Sequence, residues 1–234
     1  LVASGRNADL STLAASLPGS PVIAALQAEA ARPTADFTAA DAQWRGLAPP
    51  DATIDEGRPH RSDLATVVIG FRSQPGLLSA VRSLLDQGTE IVVVNSGGGG
   101  VCADLASVAD RIRLIANDTP LRVGAARNIG VAASRAPFLA FLAGDCLAEP
   151  GWVAGRLAHH HAGAASVSTA VSGLPGAGLV ALAANRLRYS ARNPAADPRS
   201  LSHYGQSCSR PLLGLCGLFP PALSAGEDTA LNRV

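Results

Sequence analysis

No lysine occurs among the 234 residues, and no methionine, not even at the first position. All 19 cations are therefore arginine. That excludes a Schiff-base lysine and the lysine that ends a phosphate-binding loop. The missing methionine makes the chain read as a fragment whose ends are not expected to be natural. Charge is scarce as well: 16% of residues are charged, with 19 basic against 18 acidic side chains and a net charge of +1. A chain so close to neutral offers no electrostatic footprint for a phosphate backbone, so no nucleic-acid partner is expected. Aromatic residues make up only 4%. Cysteine is limited to Cys102, Cys146, Cys208 and Cys216, without C-x-x-C spacing, which fits neither a zinc-ligand pattern nor a disulfide-dense secreted module. No apolar run approaches the roughly 18 residues that would span a bilayer. The opening LVASGRNADL lacks the basic and apolar regions of a signal peptide. A reduced, cytoplasmic protein is expected, with any membrane association confined to regions outside this chain.

What is present points to a folded domain. The hydrophobic fraction of 47% is too high for a disordered chain, and the length fits one domain with an extension. Residues 1–62 read as an Ala-rich N-terminal extension with one helical run at 21–31 and turn signals at Pro33, Pro49-Pro50 and Pro59. Residues 63–234 read as the main domain, with short apolar runs alternating with amphipathic segments. Strands are expected at 65–71, 90–95, 111–116, 137–143 and 165–171, and helices at 76–88, 124–135 and 150–161. Strands that are apolar throughout and alternate with helices predict an α/β fold with a parallel sheet covered on both faces. Ligands bind such sheets beyond the carboxyl ends of the strands, which directs attention to the residues after Phe71, Asn95 and Ala143.

Those positions carry polar groups. Phe71 leads into Arg72 and Ser73, and Asn95 into Ser96 and four glycines at 97–100. The glycine run lacks the ending of a phosphate loop and reads more simply as a mobile turn. Asp145, just past an apolar strand, is placed either to hold a divalent cation or to cap the following turn. Arg127 and Asn128, in the first turn of a small-residue helix, can aim a guanidinium fork and an amide at an anion or a ring edge. Near the end of the chain, Ser224 and Glu227 fit a capping box, while Asp228 is not needed for the cap and could act as a general base. His159, His160 and His161 are consecutive on a helix, so they point in different directions and read as a solvated helix end rather than a metal set.

The segments TVVIGFRSQPGLLSAVRSLLDQ, EIVVVNSGG, VGAARNIGVAASRAPFLAFLAGDCLAEPGWV and FPPALSAGEDTALNRV, in this order, resemble the family 2 glycosyltransferases of the GT-A fold. The resemblance runs from about Thr66 to Val234 and leaves the first 60 residues unexplained. It implies a Rossmann-like, mostly parallel central sheet flanked by helices, a nucleotide-sugar donor, a hydroxyl acceptor, a divalent metal (Mn2+ or Mg2+) and an inverting displacement. By that analogy Phe71 and Arg72 border the nucleotide base, Asn95 stands where the family has an Asp, and Arg127 and Asn128 lie near the nucleotide. Asp145 matches the second carboxylate of the family's D-x-D metal motif, and Glu227 and Asp228 its acidic pair, with Asp228 as the base. The chain departs from the pattern at Ala143, which replaces the first Asp of D-x-D, and at Asn95. Both changes remove negative charge from the donor pocket and should lower metal affinity. They leave open a degenerate relative that binds a nucleotide or a protein partner without turnover. A nucleotidyltransferase, a third reading, lacks the Lys and Gly-rich signature.

Overall fold

The computed structural model describes residues 52–55, 62–98, 103–174, 176, 178–189, 205–223 and 226–231. The helix expected at 21–31 and Ser224 of the expected capping box lie outside the described residues.

In chain order the elements are β1 (Ala52–Asp55), β2 (Leu64–Phe71), α1 (Leu77–Arg82), β3 (Glu90–Ser96), a 3-10 helix (Ala103–Arg111), β4 (Arg113–Asn117), α2 (Val123–Ala133), β5 (Phe138–Ala143), α3 (Trp152–His161), β6 (Ser166–Val167), α4 (Leu179–Tyr189), β7 (Ser207–Ser209), α5 (Arg210–Leu215) and α6 (Glu227–Leu231). One seven-stranded sheet has the order β1-β4-β3-β2-β5-β7-β6. The four central strands, β4, β3, β2 and β5, are mutually parallel. These are the four runs rich in Val, Ile and Leu, and they alternate with helices as the sequence predicts. The sheet is not parallel throughout. β1 joins β4 antiparallel, β7 joins β5 antiparallel, and β6 joins β7 antiparallel.

The expected fifth strand at 165–171 is therefore corrected to two residues at the sheet edge. Ser166 is exposed, and among the described residues β6 pairs with β7 alone, so no second neighbour extends the pairing there. The helix expected at 76–88 is also shorter, ending at Arg82. Ser83 Oγ donates to Ala80 O at 2.7 Å and accepts the Ala148 N–H at 3.0 Å, which draws the chain out of the helical ladder there. Gly88, expected as the helix stop, lies six residues beyond its end, in a turn where it takes the left-handed region at φ 70°. Pro150 lies two positions ahead of the first residue of α3 rather than at its start.

Each face of the sheet is covered. On one, Val67, Val92, Val94, Ile115, Leu139 and Phe141 pack against Ala126, Ile129 and Ala133 of α2. On the other, Val68, Ile91, Val93 and Leu142 pack against Leu77, Ala80, Val81 and Val153. Burying each Val, Leu or Ile side chain contributes about 1.5–3 kcal/mol. The small residues of α2 serve this contact, since a Cβ on Gly130 would collide with Val67. Arg210 secures the end of the helix, donating to Val131 O, Ser134 O and Ala136 O. Among the described residues no helix is long and apolar enough to cross a membrane.

Candidate active site

The carboxyl ends of β2, β3 and β5 meet at one edge. Beyond β2 the backbone of Arg72 and Ser73 is left-handed, at φ 51° and 50°. Such residues persist only when their surroundings hold them, and here the holder is Asn95. Its Oδ1 accepts the Ser73 N–H at 3.1 Å while its Nδ2 donates to Ser73 Oγ at 3.1 Å. The Arg72 N–H in turn donates to Ser96 O at 2.8 Å. Asn95 is thus fully engaged and only 2% exposed, and it reaches any ligand through the loop it holds. Phe71 and Arg72 are both exposed, with the guanidinium 5.1 Å from the centre of the Phe71 ring. Gly97, at φ 88°, makes room for them, because a Cβ there would come within 2.8 Å of Phe71 Cε2. The first glycine of the run therefore has a packing reason, beyond a turn.

The second cluster forms where α2 begins. Arg127 Nη1 donates to Glu227 Oε1 at 2.8 Å, and both side chains are largely buried. The guanidinium also lies against two rings, 5.0 Å from the centre of Phe219 and 5.7 Å from that of Phe141. Phe219 reaches this position because Gly217 and Leu218 turn the chain through left-handed conformations, at φ 75° and 65°. Asn128 then fixes the loop, its Nδ2 donating to Phe219 O at 2.8 Å and its Oδ1 accepting the Phe219 N–H at 3.0 Å. Both ends of that amide are spent on Phe219, so Asn128 orients the wall of the site. Glu227 opens α6, and Asp228 follows it, half-buried.

Asp145 lies in the turn after β5, exposed. The turn is tied to β2, since the Gly144 N–H donates to Ile69 O at 3.1 Å, which puts Asp145 beside the loop of Arg72 and Ser73. The neighbouring Cys146 thiol is pushed up to about 11 by burial and by the Asp145 carboxylate. Among the described residues no three His, Cys, Asp or Glu side chains gather to hold a metal. One carboxylate fits Mg2+ or Mn2+ shared with substrate phosphates, which asks for one or two protein oxygens, and does not fit a resident ion.

The histidine run behaves differently from the expectation at its middle member. His160 is buried, stacked on Phe138 at 4.4 Å, with Nδ1 at 2.7 Å from Ala164 O and Nε2 at 2.8 Å from Ser207 Oγ. Sequence reasoning also missed Phe219, and it noted Ser73 after the first strand without its tie to Asn95. No local signal marks either, because their partners lie 91 and 22 residues away.

A family model described as glycosyl transferase family 2 matches residues 66–205, more than half of the chain. The chain belongs to glycosyl transferase family 2. Its mostly parallel sheet flanked by helices is the GT-A arrangement. Among solved structures, residues 1–349 of TarS from S. aureus align with 70% of this chain and 52% of TarS 1–349, at 16% identity and a TM-score of 0.51. The same protein in complex with UDP-GlcNAc aligns at a TM-score of 0.53 and 16% identity, covering 72% of this chain and 51% of that one. Glucosyl-3-phosphoglycerate synthase from Mycobacterium tuberculosis in complex with UDP aligns at a TM-score of 0.48 and 20% identity, over 86% of this chain and 70% of that chain. The family 2 chain spans about half the length of the TarS structures it matches. No match was found among curated proteins.

Proposed function

We propose that this family 2 chain is an inverting glycosyltransferase that moves a sugar from a nucleoside diphosphate donor to a hydroxyl acceptor. The observation that carries the proposal is the Arg127–Glu227 ion pair, which joins the second turn of α2 to the acidic pair Glu227-Asp228. Asp228 takes the proton of the acceptor hydroxyl as its oxygen bonds to the anomeric carbon. The bond from that carbon to the diphosphate oxygen breaks, and the nucleoside diphosphate leaves with the electron pair. A single displacement inverts the sugar and needs a base on the face opposite the leaving group. Phe71 and Arg72 border the base, with Asn95 setting their loop, and Arg127 and Asn128 shape the wall next to the donor. A divalent ion, Mn2+ or Mg2+, held by Asp145, would neutralise charge on the diphosphate as it leaves. A cytoplasmic setting belongs to this reading and accords with the free thiols of Cys146, Cys208 and Cys216.

The test is Asp228→Asn in a transfer assay, where turnover should fall by about 10²–10⁴-fold with donor binding retained. Full turnover in the variant would remove Asp228 from the base role. A second reading, a chain that binds a nucleotide or a protein partner without turnover, is favoured by Ala143, which leaves Asp145 as the one carboxylate of the metal motif. It predicts donor binding with no transfer in the unmodified chain.

A further inference from the structure

The segment between β6 and β7 leaves the sheet after Val167 and returns at Ser207. Val167 pairs with Ser207, and Ser207 with Ala140 of β5. Since β7 runs against β5, the excursion leaves and returns level with Ala140, on the side that faces the carboxyl end of β5. It carries α4. Leu182 and Asn185 of α4 lie against Gly173, which identifies the side turned toward the rest of the chain. At about 3.6 residues per turn, Leu179, Val180, Ala183, Ala184 and Leu187 occupy the opposite half. Leu179, Val180 and Leu187 are 86%, 85% and 84% exposed. Three large aliphatic side chains left almost wholly in water on one helix face mark a surface that another body covers.

The charge pattern says which body. From Pro150 to Ala196 the sequence contains no Asp or Glu, while Arg186, Arg188 and Arg192 fall within seven residues. A second copy docked α4 against α4 would bring Arg186 to a face with no carboxylate from the segment to meet it. A lipid surface with anionic headgroups satisfies both features, taking the apolar stripe into the boundary of the acyl chains and the exposed Arg186 into the headgroup layer. We infer that α4 docks the protein on an anionic lipid surface, with the Leu179–Val180–Leu187 face inserted and Arg186 at the headgroups. It does not depend on the transfer reading.

The test is co-sedimentation of the full chain with vesicles of phosphatidylcholine, alone or mixed with phosphatidylglycerol. Binding is expected to the mixed vesicles and to fall with added salt. The Leu179→Ser/Leu187→Ser variant should weaken it at least about tenfold. Arg186→Gln, a milder change that leaves the apolar face intact, should weaken it about fivefold. Equal binding by the unmodified chain and both variants, or no binding to the mixed vesicles, would overturn the inference. So would a stable dimer in sedimentation velocity that the double serine variant dissolves, since a second copy would then cover the face. Donor titration of each variant separates loss of docking from loss of fold.

Discussion

Arg127 Nη1 and Glu227 Oε1 lie 2.8 Å apart although 100 residues separate them in the chain. The pair locks α6 to α2, so whatever Asp228 does at the sheet edge depends on it. Glu227→Gln removes this carboxylate from the guanidinium in a largely buried site. The variant should lose about 1.5–3 kcal/mol of stability in urea unfolding. A double-mutant cycle with Arg127→Met should return a coupling of about 1–3 kcal/mol. Additive effects would mean that the contact does not hold the two helices together.

Asn128→Ala should strand the N–H and carbonyl of Phe219 in a buried position. We expect a loss of about 1–3 kcal/mol and a weaker donor, because Phe219 supports the Arg127 guanidinium. Asn128→Asp keeps the acceptor for the Phe219 N–H but loses the donor to its carbonyl, so it should rescue only part of the loss. Equal stability of all three proteins in thermal melts would contradict the clamp.

Gly97→Ala places a methyl group 2.8 Å from Phe71 Cε2 in a left-handed backbone. The left-handed conformation alone costs about 1–2 kcal/mol for a residue with a Cβ. In a chain of this size each kcal/mol lowers Tm by about 2–4 °C. Donor affinity should fall as well, since Phe71 and Arg72 must move. A variant with unchanged Tm and donor affinity would show that the loop does not need glycine there.

The alternating strands and helices were legible because β2, β3 and β5 are largely continuous apolar runs, as burial on both faces requires, while β4 showed as the alternating run at 111–116. The two-residue β6 was not. Among the described residues β7 is its one neighbour, a tertiary fact that no periodicity encodes. At the site, Arg127, Asp145, Glu227 and Asp228 stood out by chemical type and position. The work of Asn95 and Asn128 did not, because each amide is spent on a loop whose location only the fold determines. Ser73 and Phe219, the residues they hold, share that cause.

Burial lowers the His160 pKa from its ordinary value, with Arg156 and the flanking histidines adding to the effect against the Ala164 carbonyl. The unfolded chain therefore takes up the proton first as pH falls. Stability present above about pH 6.5 should be lost progressively below it, down to the folded-state pKa, and change no further from this group beyond that. Burial raises the Glu90 carboxyl, whose contribution has the opposite sign at lower pH. His160→Gln isolates the histidine: its Tm deficit against the unmodified protein should shrink between pH 7.5 and pH 5.5. A deficit independent of pH would show that His160 does not titrate differently on folding.

The most direct measurement is calorimetric titration of the chain with UDP, GDP and their sugars, with and without Mn2+ or Mg2+, repeated on Asp145→Ala. The account predicts that one nucleoside diphosphate binds, that the divalent ion strengthens its binding, and that Asp145→Ala removes the strengthening while metal-free binding stays. Absence of binding to every nucleotide in the presence of either ion would contradict a donor site at this edge of the sheet.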